Sequence, residues 1–223
     1  MRRWSMRGTA GGRSGQVKVE IWSDVVCPWC YIGKRRLESA LGQFEHADEV
    51  EIFWRSFQLN PEAQQGKAVP TLEYLAGRFG PQAAQMTDHV ADVAKGDGLD
   101  MDFSKTLTVN TFDAHRLLHL AAELGVGDAA KERMLRAHFT EGADLASTDT
   151  LVALMQDVGV DPEKTRQTLV SGEYGDAVRE DMEEARALGA NGVPFFVIDR
   201  KYGVSGAQSV ETFLTALRTA HAG

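Results

Sequence analysis

The sequence has few cysteines and no long apolar run, and each absence excludes a class of protein. Two cysteines in 223 residues cannot form the disulfide framework of a small secreted domain, and a chain of this length does not need one. No stretch approaches the roughly 18 apolar residues that a membrane-spanning helix requires. We therefore expect a globular protein that does not cross a membrane and works in the reducing cytoplasm.

Basic residues are also scarce. The chain has 24 Lys and Arg against 32 Asp and Glu, a net charge of -8, which argues against a nucleic acid as partner. The first 16 residues contain four arginines and no acid, so they carry +4 and the remainder carries -12. They lack the apolar segment of a signal peptide. We interpret residues 1–16 as a disordered leader.

The residues after the leader alternate between apolar and polar in two short stretches, which predicts two β-strands at 17–22 and 50–54. Between them, apolar residues recur with the period of a helix, and a proline stands where a first helical turn tolerates one. The predicted helix runs from Pro28 to Phe44. The order strand, helix, strand predicts a βαβ unit over residues 17–55.

From Pro61 to Gly189 the pattern is helical almost throughout, and strand patterns return only at 195–198 and 202–205, before a last helix capped by Ser209. A βαβ unit and a ββα unit are the two halves of a thioredoxin fold. The sequence thus predicts an α/β protein with a thioredoxin fold interrupted by a large all-helical insertion. The predicted domains are a thioredoxin-fold domain made of 17–60 and 190–223 and a helical insertion domain at 61–189.

Both cysteines lie in the stretch DVVCPWCY, residues 24–31, directly after the first strand. Cys27 falls at the predicted helix N-terminus, where free N–H groups and the helix dipole favour a thiolate and lower the pKa of a thiol. Cys30 lies one turn further on, where it can attack a mixed disulfide formed at Cys27. We expect Cys27 to be the attacking, more exposed thiol and Cys30 the buried resolving thiol. Pro28 and Trp29 then tune the redox potential through the geometry of the helix start.

Other polar residues have two readings each. Two cysteines alone cannot form a closed four-ligand zinc site, so histidines would have to supply the other ligands. His115 and His119 are spaced i, i+4, which suits half a metal site. Such a pair is more often two partly buried polar residues, so we predict no metal. Asp24 either caps the helix or accepts a proton from Cys30. His115 either stabilises the Cys27 thiolate or has a structural role.

Five segments, in order along about 190 residues, resemble the DsbA family of thiol-disulfide oxidoreductases, and its FrnE-like branch in particular. They are VEIWSDVVCPWCYIGKRRLE (19–38), WRSFQLNP (54–61), NTFDAHRLLHLA (110–121), NGVPFFVI (191–198) and GVSGAQ (203–208). The resemblance implies that Val193 and Pro194 form a cis-proline loop that binds an extended substrate beside Cys27. It implies a thiol or disulfide substrate, protein or small molecule, and no cofactor beyond glutathione as a redox co-substrate.

The same family includes the kappa-class glutathione transferases and the 2-hydroxychromene-2-carboxylate isomerases. These relatives resemble each other in having serine where this chain has Cys27, and a Ser-Asp pair where it has Ala207 and Gln208. Gln208 lacks the acid that holds the γ-glutamyl end of glutathione. The presence of both cysteines favours redox exchange over glutathione-dependent isomerisation.

Three functions follow from these features. The first is thiol-disulfide exchange through Cys27 and Cys30, with Pro194 shaping the substrate groove. The second is a glutathione-dependent isomerase or transferase that acts on a small aromatic or polyketide-like molecule under the helical insertion. The third is a chaperone-like module that binds polypeptides without catalysis.

Overall fold

In residues 16–223, the part of the chain that the computed structural model describes, six β-strands and nine α-helices follow one another. The strands are β1 (Val17–Ser23), β2 (Val50–Ser56), β3 (Ala68–Pro70), β4 (Leu107–Val109), β5 (Phe195–Ile198) and β6 (Tyr202–Ser205). The helices are α1 (Pro28–Leu41), α2 (Thr71–Phe79), α3 (Ala83–Gly96), α4 (Phe112–Glu123), α5 (Gly127–Arg136), α6 (Thr148–Asp157), α7 (Pro162–Ser171), α8 (Gly175–Ala187) and α9 (Val210–Ala222). None of the helices described is long and apolar enough to span a membrane.

Four of these strands form one sheet in the order β2-β1-β5-β6. β1 and β2 are parallel, with Val17 opposite Val50 and Ser23 opposite Ser56, whereas β5 is antiparallel to β1 and β6 to β5. The first helix, α1, connects β1 to β2, and α9 follows β6. This confirms the predicted thioredoxin fold, with the segment from β3 to α8 inserted between its two halves. The division into domains at residues 60 and 189 stays a prediction, and the predicted leader lies outside the described residues except for Gln16.

The sheet is covered on both faces. Alternate residues of β1, such as Val19 and Ile21, pack with α1 and α9 in one apolar core. Trp22 points to the opposite face, where it is fully buried and donates a hydrogen bond to the Asp181 carbonyl of α8 at 2.7 Å. The inserted helices form a second apolar core, which includes Leu117, Leu120 and Met134. The end of β1 therefore lies between the two cores.

Two local predictions need correction. α1 ends at Leu41 instead of Phe44, because the N–H groups of Gln43 and Phe44 bond to carbonyls three residues back instead of four, and the Phe44 side chain packs in the core. The inserted segment also contains two antiparallel strands, β3 and β4, where a purely helical insertion was expected. A three-residue strand is too short to show the alternation that identifies strands in a sequence.

A glycine in the middle of α1 allows the helix to approach the start of β5. A Cβ atom on Gly33 would lie 3.0 Å from Pro194 Cγ and 3.2 Å from Phe196 Cζ. Such distances leave no room for a larger residue at this position. The close approach places the N-terminal turn of α1 beside the loop that contains Pro194.

Replacing Gly33 by Ala should destabilise the protein by about 1–3 kcal/mol, since the added methyl group overpacks the contact with Pro194 and Phe196. Gly77 is the matched control: it lies in α2, and no atom lies within 4 Å of its Cβ position. Gly77→Ala should instead gain about 0.5–1 kcal/mol from helix propensity. Urea unfolding of both variants measures this, and equal stability gains in both would show that the contact at Gly33 imposes no constraint.

Candidate active site

The two cysteines lie at the start of α1, directly after the end of β1. Cys27 precedes the first helical residue, Pro28, and has extended backbone angles (φ -91°, ψ 114°). The N–H groups of Cys30 and Tyr31 donate to the Cys27 carbonyl at 3.0 and 3.4 Å and close the first helical turn. Both thiols are free, and Cys30 lies close enough to Cys27 to raise its pKa. The first turn thus places the two cysteines next to each other, as disulfide formation requires.

Cys27 is the more exposed of the two thiols, as expected, but only slightly, and the expected acidity of Cys27 is wrong in this structure. Cys27 is only 3% exposed, compared with 1% for Cys30, so both cysteines are buried. The neighbouring Cys30 thiol and burial raise the pKa of Cys27 well above the ordinary value for a cysteine. The backbone N–H of Cys30 acts in the opposite direction, as the helix N-terminus was expected to do, but it is the weaker influence.

A cis-proline loop faces Cys27. The Val193–Pro194 peptide bond is cis, and the Val193 carbonyl accepts a hydrogen bond from Cys27 Sγ at 3.4 Å. Pro194 is buried, and its own carbonyl accepts from the Gly206 N–H at 2.8 Å. The loop is therefore fixed between β5 and the turn that follows β6. The structure brings Val193 and Pro194 next to Cys27.

Asp24 lies between β1 and Cys27 and is completely buried. Its carboxylate accepts hydrogen bonds from the N–H groups of Val25 and Leu59, both at 2.8 Å, and from His115 Nε2 at 3.2 Å. Burial raises the pKa of Asp24, but His115 and the Leu59 N–H outweigh it, so the pKa lies below its usual value. The alternative that Asp24 caps α1 is wrong, since no side chain caps this helix.

The two histidines of α4 bind different carboxylates. His115 is buried against Asp24, and burial lowers its pKa, although Asp24 opposes this shift. His119 Nε2 lies 3.1 Å from the Asp181 carboxylate and 3.1 Å from the Ser56 hydroxyl. His115 therefore reaches the cysteines through Asp24, and the pair does not present two nitrogens to one ion.

Lys131 of α5 is a buried ion that the sequence analysis missed. Its side chain is 0% exposed, and its Nζ donates to the Ser23 carbonyl at 3.3 Å and lies 5.4 Å from the centre of the Trp54 ring. Burial lowers the pKa of Lys131 from 10.5 to about 8. The acidic groups around it, Cys30 and Asp24 first, oppose this shift. A lysine among the apolar residues Ala130, Met134 and Leu135 of one helical stripe was the available signal.

The remaining predicted site residues surround α1. Pro28 is its first residue, and Trp29 is half-buried against an apolar cluster of the insertion that includes Phe139. Gln208 is exposed and donates to the Ser205 carbonyl at 2.8 Å, within its own turn. The neighbouring Ala207 carbonyl accepts from Arg36 at 2.7 Å, which holds this turn against α1.

A thioredoxin fold with two thiols at the first turn of its first helix, faced by a cis-proline loop, defines the class of thioredoxin-like thiol proteins. The family model of the DSBA-like thioredoxin domain matches residues 18–218. The chain belongs to this family, and the predicted DsbA resemblance is confirmed. Its assignment to the FrnE-like branch stays a prediction.

Known proteins resemble nearly the whole chain. It is 26% identical over 203 residues to the uncharacterized protein YwbO of Bacillus subtilis (strain 168), with 90% of this chain and 96% of YwbO covered. It is 43% identical to the probable DsbA oxidoreductase SCO1869 of Streptomyces coelicolor, whose crystal structure superposes with a TM-score of 0.88 over 92% of this chain and 90% of that one. A 2-hydroxychromene-2-carboxylate isomerase is 15% identical, with a TM-score of 0.66 over 91% and 95% of the two chains, and shares the fold alone.

Replacing Lys131 by Met should make the cysteines less reactive. A cation within several ångströms in a medium of effective dielectric constant about 20 stabilises a thiolate by about 1–2 kcal/mol, or about one pKa unit. The rate of alkylation by iodoacetamide at pH 7 should therefore fall about tenfold, with a matching rise in the thiol pKa measured by ultraviolet absorbance. Lys34→Met is the control, because the buried Lys34 ammonium pairs with Glu38, Asp128 and Glu132 instead. An equal loss of reactivity in both variants would contradict a specific effect of Lys131.

The same substitution should stabilise the fold, most strongly at low pH. Between about pH 8 and 10.5 the native state loses the Lys131 proton while the unfolded state keeps it, so the wild-type free energy of unfolding rises with pH in this window. Below pH 8 the burial cost is fully present, at about 3 kcal/mol from the pKa difference. The stability advantage of Lys131→Met should thus shrink as the pH rises from 7 to 10. Urea unfolding at several pH values measures it, and a difference that stays constant with pH would show that burial does not lower the pKa of Lys131.

Proposed function

We propose that the protein is a thiol-disulfide oxidoreductase that exchanges a disulfide between its own cysteines and a substrate. The observation that carries the proposal is the position of Cys27: it lies one helical turn from Cys30, and its sulfur donates a hydrogen bond to the Val193 carbonyl of the cis-proline loop. Membership of the DSBA-like family, which acts on thiol and disulfide substrates, supports the same chemistry.

The exchange takes two steps in the direction that reduces a substrate. The Cys27 thiolate attacks one sulfur of the substrate disulfide, that S–S bond breaks, and the other substrate sulfur leaves as a thiolate that takes up a proton. Cys30 then loses its proton and attacks the Cys27 sulfur of the mixed disulfide. The mixed S–S bond breaks, the substrate leaves as a dithiol, and Cys27 and Cys30 form a disulfide. The reverse sequence oxidises a substrate dithiol.

The burial of Cys27 sets the order of events. The thiol carries its proton at neutral pH because Cys30 and burial raise its pKa, and a buried sulfur must first be reached by the substrate. An extended segment that pairs with the Val193 backbone would compete for the carbonyl that now accepts the Cys27 hydrogen bond. Binding at the loop would thereby release the thiol for attack, and Lys131 would stabilise the thiolate that forms.

We further propose that the chain belongs to the FrnE-like branch and that the reaction takes place in the cytoplasm. The protein would use glutathione as a redox co-substrate and would hold no resident cofactor. The glutathione-dependent isomerase is the weaker candidate, since both thiols are present and Gln208 bonds within its own turn instead of offering a carboxylate. The Streptomyces protein that is 43% identical is known as a probable DsbA oxidoreductase, which supports the redox function.

Serine variants of the two cysteines separate the roles. After incubation with glutathione disulfide, Cys30→Ser should accumulate a glutathione adduct on Cys27, because nothing resolves the mixed disulfide. The wild type should release that adduct and form the Cys27–Cys30 disulfide, and Cys27→Ser should form no adduct on the same timescale. Intact-protein mass spectrometry measures all three products.

Other outcomes support the other functions. A stable adduct on the wild type that Cys30 never resolves would support the glutathione-dependent isomerase or transferase and overturn the redox proposal. No thiol chemistry in any variant, together with polypeptide binding that survives both substitutions, would support the chaperone-like module.

A further inference from the structure

A cluster of metal-binding side chains lies away from the cysteines, where the chain end meets the segment between α1 and β2. His46 and Glu49 belong to that segment, and His221 belongs to the last turn of α9. One donor atom from each residue lies within 4.8 Å of the other two. The cluster joins residues that are 172 positions apart in the sequence.

The carboxylate of Glu49 lies between the two imidazoles. His46 Nδ1 is 3.1 Å from Glu49 Oε1, and His221 Nε2 is 3.1 Å from Glu49 Oε2. The side chains of His46 and Glu49 are 46% and 39% exposed, and that of His221 is 23% exposed. The donor atoms therefore converge at the surface, with access from solvent.

The two histidine rings are held in place by aromatic contacts. They stack with centroids 3.9 Å apart and an angle of 14° between their planes. Phe44, which is buried, packs edge-on against both rings at 5.8 Å. Three rings that fix one another reduce the conformational entropy that a ligand would otherwise have to overcome. The donor set is thus largely ordered before anything binds.

The Glu49 carboxylate supplies one negative charge between the two imidazoles, and a carboxylate and two imidazoles can share one divalent ion. The one nearby cation on α9, Arg218, is neutralised by Glu45 in an ion pair. The charge of Glu49 is therefore left for the histidines or for a metal.

Two histidines and one glutamate are a common ligand set for zinc, with distances of about 2.0–2.2 Å and a fourth position taken by water. Ligand atoms bound to one ion at those distances lie at most about 4.4 Å apart, so small side-chain rotations bring this cluster into coordination geometry. We infer that His46, Glu49 and His221 form a zinc site that fastens the C-terminal end of α9 to the segment between α1 and β2.

Zinc binding is measured by calorimetric titration of ZnCl₂ into the protein with Cys27 and Cys30 both replaced by Ser, which removes the thiols as competing ligands. We expect one ion per chain, and at least a tenfold weaker affinity after His221→Gln or Glu49→Gln. His89→Gln, at an exposed histidine outside the cluster, is the matched control and should bind as the parent does. Excess zinc, about a hundredfold above the dissociation constant, should raise the Tm of the parent by about 5 °C or more and leave His221→Gln unchanged.

Thermal unfolding in EDTA checks that each variant folds. If His221→Gln does not fold, Glu49→Gln provides the test, since its amide can still form a hydrogen bond with an imidazole. Failure to bind zinc in the parent would overturn the inference. The inference would also be overturned if His221→Gln and Glu49→Gln bound zinc as tightly as the control His89→Gln, since the ion would then lie elsewhere.

Discussion

The buried carboxylate of Asp24 is the constraint on which the active site depends. A carboxylate without solvent is costly unless it is fully hydrogen-bonded, and here its partners come from three parts of the chain: the residue after it, the segment after β2, and α4. The parallel pairing of β1 with β2 brings Leu59 to the end of β1, where Asp24 begins the turn into the cysteines. The first turn of α1 is therefore positioned by hydrogen bonds that cross from the thioredoxin fold to the insertion.

The insertion contributes charge as well as cover. His115 from α4 and Lys131 from α5 both reach the end of β1, and His138 is buried nearby with its pKa lowered to about 4 by burial. Among the described residues, His138 Nδ1 has no hydrogen-bond partner. His138 is therefore uncharged at neutral pH, and the cation of the insertion that acts on the thiolate formed during exchange is Lys131. The burial of the Lys131 ammonium thus lowers the stability of the fold and makes the thiols more reactive.

The sequence was sufficient for features that local patterns determine. Alternation and helical periodicity identified β1, α1, β2, β5, β6 and α9, and the turn residues before Phe195 marked the loop that contains Pro194. The end of α1 and the strands β3 and β4 were missed, because three-residue strands and helix ends depend on tertiary partners more than on pattern. Local reasoning therefore found the frame of the fold and the position of the thiols.

The environment of the thiols depends on contacts distant in sequence, and there the predictions failed. A helix N-terminus predicted a lowered pKa for Cys27, but the fold buries this thiol beside Cys30, and both effects raise its pKa. Lys131 lies 104 positions after Cys27 in the chain and stands out only as a charge within an apolar helical stripe. Asp24 and His115 could each be named as candidates from the sequence. The hydrogen bonds that join Asp24 to His115 and to the Leu59 N–H could not be foreseen. Side-chain burial and long-range pairing were the information that a single sequence did not contain.

The central claim is that Cys27 and Cys30 act as one redox couple, and its most direct test is a titration of the wild-type protein in glutathione buffers of defined ratio. The fluorescence of Trp29, next to the thiols, and alkylation of free thiols would both report the oxidised fraction. The account predicts one reversible two-electron transition with the same midpoint by both methods. Oxidation that stops at a glutathione adduct on Cys27, or no transition over the accessible range, would contradict it.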